Sequence, residues 1–109
     1  MANMSFDFNK IKRSFFKVTL KDEKTLIVKM PKKKTFEKIT AVQEMDMEEM
    51  SVDDAMDTLG TICAEVLSNN LQKQRVTTGF MTDYYDIEEM SMFIEEYMEF
   101  VSSAKNNPN

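Results

Sequence analysis

The chain has 109 residues, of which 42% are apolar and 30% charged, a balance that excludes wholesale disorder and allows one modest hydrophobic core. Histidine is absent, Cys63 is the single cysteine and Gly60 and Gly79 are the only glycines, so a histidine base, a thiolate metal cluster and a glycine-rich phosphate loop are all excluded. The net charge of −5 hides an asymmetry: residues 1–38 carry 11 Lys/Arg against four acids, and residues 39–109 carry three against 15.

Residues 1–13 are polar with scattered apolar positions at Phe6, Phe8 and Ile11, and read as a flexible N-terminal arm without the basic-then-apolar pattern of a signal peptide. A single domain is expected over residues 14–104. It opens on a β-hairpin, because Phe16, Val18 and Leu20 alternate with Lys17 and Thr19, and Leu26, Val28 and Met30 with Ile27 and Lys29 beyond the polar stretch Lys21-Asp22-Glu23-Lys24. Pro31 ends the second strand, since it brings no N–H to a ladder.

Helices follow. Thr35 is the expected N-cap of the first, which the pattern carries to about Met50 with Phe36, Ile39, Val42 and Met50 in one stripe. Ser51 caps the second, whose stripe runs Val52, Ala55, Met56, Leu59, Ile62, Cys63, Val66 and Leu67 to an end at Asn69-Asn70. Gly60 inside that helix implies a close approach by another element. Thr77-Thr78-Gly79 reads as a bend, and Met81, Tyr84 and Tyr85 suit a short helical turn. The last helix begins at Asp86, with Glu89 completing a capping box, and its stripe is Ile87, Met90, Phe93, Ile94, Tyr97, Met98 and Val101. It frays from Ser102 into a disordered tail at 105–109. The expected fold class is α+β: an N-terminal hairpin followed by about three helices.

The acidic pairs Asp53/Asp54, Glu88/Glu89 and Glu95/Glu96 have the residue type for acid–base work but sit in helix first turns or on polar faces, where capping and solubility account for them. The basic run Lys32-Lys33-Lys34 lacks interleaved aromatics, and with the overall negative charge this disfavours nucleic acid. No apolar run reaches the length of a membrane span, and the lone cysteine fits a reducing cytoplasm. The expectation is therefore a cytoplasmic protein without catalytic, metal or cofactor site. Eleven methionines stand out. Methionine is flexible and polarizable, and suits adaptable binding surfaces. Met45 and Met47 leave the apolar stripe of their helix, and Met92, Phe93, Tyr97 and Phe100 make the last helix apolar on more than one face, so these six are the expected partner-binding residues.

The order Phe15-Phe16 with a strand, a polar turn, a second strand ending Met30-Pro31-Lys32-Lys33-Lys34, acidic helices and a closing Ile94-Glu95-Glu96-Tyr97-Met98-Glu99-Phe100-Val101 resembles the tail assembly chaperones of long-tailed phages and prophages of Gram-positive bacteria, over residues 6–105. The resemblance implies a non-enzymatic protein that binds the tape measure protein and keeps it soluble while the tail tube polymerises, with self-association into a homo-oligomer as a further expectation. Two other classes fit the same composition. One is a small phage- or prophage-encoded regulator or inhibitor that binds a host protein through its acidic face. The other is a structural tail or connector subunit.

Overall fold

Alternation of apolar and polar residues yields the hairpin. The computed structural model, which describes residues 4–106, pairs β1 (Phe16–Thr19) with β2 (Thr25–Val28) in antiparallel register, with Phe16 opposite Val28 and Val18 opposite Leu26. That register puts Phe16, Val18, Leu26 and Val28 on one face, over the helices. The turn closes through Glu23 N–H to the Leu20 carbonyl (2.9 Å) and Leu20 N–H to the Lys24 carbonyl (2.8 Å), and it places Glu23 at a φ of 69°.

Among the described residues four helices follow: α1 (Lys33–Glu44), α2 (Val52–Ser68), α3 (Thr78–Tyr84) and α4 (Ile87–Asn106). The chain is a single small α+β domain, as expected, with one helix more than the three anticipated. Two caps stand where the sequence puts them. The Ser51 hydroxyl accepts from Asp54 N–H (3.1 Å), and Asp86 and Glu89 exchange reciprocal bonds of 2.8 and 2.9 Å.

Several boundaries differ from expectation. α1 starts upstream of Thr35, because Phe36 N–H already bonds the Lys32 carbonyl (2.9 Å). It stops at Glu44 and not Met50: the Asp46 carboxylate accepts from Glu48 N–H (3.0 Å), and this local bond opens a separate 3₁₀ turn at Met47–Glu49 in place of further helix. Thr77 is an N-cap and not a bend, since its hydroxyl accepts from Phe80 N–H (3.1 Å) to start α3. Val52, in the first turn of α2, is exposed and not part of the core stripe. α4 continues through Asn106, past the fray expected at Ser102. Residues 1–3 of the arm and 107–109 of the tail lie outside the described residues.

α2 is the spine. It packs against α1, α3, α4 and β2, and its Leu59, Ile62, Cys63, Val66 and Leu67 are all buried. Its second face is buried too, through Gly60 and Ala64. A Cβ built at Gly60 would lie 2.7 Å from the Thr82 methyl group, so the glycine does allow the close approach of α3.

The loop after α2 completes the sheet. Lys29 N–H donates to the Asn69 carbonyl and Leu71 N–H to the Ile27 carbonyl, both at 2.9 Å, so Asn70 forms a single rung against Val28. Asn70 is buried with its amide satisfied: it donates to the Leu67 and Gln74 carbonyls and accepts from Gln74 N–H. Ser68 holds both backbone groups of Val76, at 2.9 and 3.0 Å. The outer edge of β2 is thereby capped with backbone hydrogen bonds.

Candidate protein-binding surface

The six side chains expected to meet a partner separate into three groups. Phe93, Tyr97 and Phe100 converge on Phe16 of β1, with ring centroids 6.2, 5.8 and 5.3 Å away. Tyr97 is fully buried, and its hydroxyl donates to the Lys29 carbonyl (2.7 Å). Its assignment to a partner surface is therefore corrected: Tyr97 belongs to the core. Phe93 and Phe100 are half-buried beside it. The second apolar face of α4 covers the hairpin, because a two-stranded sheet exposes its inner face unless a helix lies over it.

Met92 stands apart. It is 58% exposed on the outer face of α4, where Glu88, Glu95 and Glu96 are its helical neighbours at one-turn spacing and all three are exposed.

Met45 and Met47 do come together. The early end of α1 carries both out of the helix and over the junction with α2 and α4. Met45, 46% exposed, lines two adjoining clefts. One, of about 440 Å³, lies between α1 and α2, with Ala41, Asp57 and Ile62 in its wall. The other, of about 310 Å³, shares Val42 with it, opens toward α4 and adds Met47, Ile94 and Glu95. Next to it, Gln43, Met98 and Glu99 line a further depression along α4. The rim is acidic: Glu44, Asp46, Glu48 and Glu49 are exposed around the methionines. Lys38, on the α1–α2 wall, is engaged by Glu65 at 2.9 Å. The Lys38 hydrogen bond holds the Glu65 carboxyl below the ordinary glutamate range, against the opposing effect of its burial. The cleft thus offers deformable thioethers set in negative potential.

A second apolar surface lies at the hairpin's open end. Ile11, Phe15, Met30, Pro31, Leu71 and Ala104 form a groove of about 760 Å³. Lys12, Arg13, Lys29 and Lys32 also line it. The sequence carried signals for both halves of this site, in the apolar residues of the arm and in the basic run after Met30. Their meeting with Leu71 depends on the loop rung at Asn70, which no local pattern announces.

Cys63 is buried against α4, where its thiol donates to the Met90 carbonyl (3.7 Å), and burial pushes it up to about 12, so almost none is thiolate at neutral pH. Among the described residues, no three or more His, Cys, Asp or Glu side chains are grouped as a metal ion requires, and no helix is long and apolar enough to cross a membrane. In comparisons with known proteins, no family model, no curated protein and no solved structure matches the chain.

Proposed function

We propose that this protein is a non-enzymatic assembly chaperone of the bacterial cytoplasm that holds an amphipathic helix of a long helical client. The sequence resemblance points to the tape measure protein of a phage tail as that client. One observation carries the reading: Met45 and Met47 line an open cleft between helices, beside the exposed acids Glu44, Asp46, Glu48, Glu49 and Glu95. A cleft of this kind fits helix-in-groove recognition, in which an apolar stripe enters and the flanks set orientation. The matching client helix carries leucine or similar side chains at i, i+3, i+4 and i+7, with lysine or arginine beside them. Methionine adapts to several such stripes without demanding one shape, as a holdase facing a long repetitive helix requires. The acidic surface keeps the complex soluble.

Co-expression with a phage tape measure protein tests the reading. The wild-type chain raises the soluble fraction of that protein, and Met45→Glu abolishes the effect while leaving the thermal melt unchanged, because Met45 is half-exposed. Met45→Leu retains it. A client whose solubility is indifferent to the wild-type chain overturns the proposal, and so does full rescue by Met45→Glu.

A further inference from the structure

The N-terminal arm and the basic groove present a separate problem of cover. Met4, Phe6 and Phe8 are 95%, 71% and 71% exposed, and the two phenylalanine rings stand edge to face at 4.8 Å. Ser5 and Asp7 lie between them, and Asp7 caps a short 3₁₀ turn at Phe8–Lys10 by accepting from Asn9 N–H (2.9 Å), which leaves both rings exposed. Ile11, Phe15 and Leu71, all exposed, line the groove and await a covering chain as well. Among the described residues the arm does not cover this groove within its own molecule: residues 11–15 are one of its walls, and residues 4–10 are exposed.

We infer that two copies of this chain exchange their arms, Met4–Asn9 of each lying in the groove of the other, as a closed twofold dimer. Three features on the chain support that occupant. Chemistry matches, because the arm offers three large apolar side chains to an apolar floor. Charge matches as well: Asp7 is the sole charged residue among 4–9, and the groove is lined by Lys12, Arg13, Lys29 and Lys32. Area sets the strength: a buried aromatic side chain covers about 150–250 Å², so the four phenylalanines of two arms remove about 600–1,000 Å² from water, the size of a weak, concentration-dependent contact. Reciprocity follows from placing donor and acceptor at the same end of the molecule, which lets each copy give and receive in one contact and leaves no open end. The methionine cleft, bounded by α1, α2 and α4, is left free.

Sedimentation velocity over protein concentrations of about 2–200 µM tests this, since mass action makes a dimer concentration-dependent. The wild-type chain doubles in mass across the series. Phe6→Ser with Phe8→Ser remains monomeric, and Leu71→Glu alone remains monomeric, each with an unchanged thermal melt because the altered residues are exposed in the monomer. An equimolar mixture of the two variants regains dimer at reduced affinity, because one intact arm still meets one intact groove. A wild-type chain that stays monomeric over the whole range overturns the inference. So does a dimer that survives either variant, or a mixture that gains nothing.

Discussion

The Tyr97 hydroxyl donates to the Lys29 carbonyl oxygen at 2.7 Å, and this bond ties the middle of α4 to the residue that follows β2. Tyr97→Phe keeps the ring stack with Phe16, Phe93 and Phe100 and leaves a part-buried carbonyl without that donor. The expected cost is about 1–2 kcal/mol, read from denaturant unfolding with an unchanged m-value. A neutral result would mean that water reaches the carbonyl.

Gly60→Ala replaces a poor helix former with the best, and on an exposed helix would gain about 1 kcal/mol. Here the opposite sign is expected, a loss of about 1–3 kcal/mol, because the new methyl group meets Thr82 of α3 at 2.7 Å. The check is a double-mutant cycle with Thr82→Ser, which removes the opposing methyl group and restores most of the loss. The same loss in both backgrounds would place the strain elsewhere.

Acid should loosen two tethers. Lys21 joins the hairpin turn to Glu89 at 2.8 Å and also donates to the Tyr84 carbonyl (2.7 Å), and Lys38 joins α1 to Glu65 on α2. The hydrogen bonds from Lys21 and from the Asp86 backbone hold Glu89 below the ordinary glutamate range, as the Lys38 bond does for Glu65. A carboxyl depressed in the folded state contributes stability that is present above its unfolded pKa and disappears as pH falls through the folded value. Thermal melts from pH 7 downward therefore show falling stability below the ordinary glutamate range, with a shallower acid limb in Glu65→Gln and in Glu89→Gln. Identical acid limbs in all three proteins would remove both pairs from the explanation.

Glu23 occupies the left-handed region at φ 69°, where a Cβ is strained and glycine is not. Glu23→Gly is expected to stabilise the hairpin turn by up to about 1 kcal/mol, measured as a shift in the denaturant midpoint. Destabilisation would show that the Glu23 side chain contributes to the turn.

What the sequence made legible was whatever rests on neighbours. Alternation located the hairpin, and Ser51, Asp86 and Glu89 announced their caps because N-capping needs only a side-chain oxygen and an N–H two or three residues on. Less visible were choices settled by competition or by distance. Asp46 and Thr77 each redirect the backbone with one short bond, where stripe counting carried helix through the first and bend chemistry claimed the second. The reassignment of Tyr97 has a different cause. Periodicity shows that α4 has two apolar faces, but it does not say whether a partner or the chain's own Phe16 covers the second. In a domain with a two-stranded sheet, the sheet itself needs that cover. Leaving the stripe of α1 had two outcomes: Met45 stays exposed, while Met47, carried past the end of the helix, is half-buried against the core.

The rung between β2 and Asn70 has a consequence for how the chain acquires its shape. The Ile27 amide is satisfied by the side chain of Gln72, 45 residues further on, and the Ile27 carbonyl by Leu71. A hairpin waiting on the ribosome for that segment has an open margin and an uncovered inner surface, and it is marginal by itself. Residues 14–68 expressed alone should therefore be soft and prone to stick to their neighbours. Folding becomes all-or-none only once the turn after α2 has emerged and α4 can lie across Phe16, so β1 is sealed by a helix made about 70 residues after it.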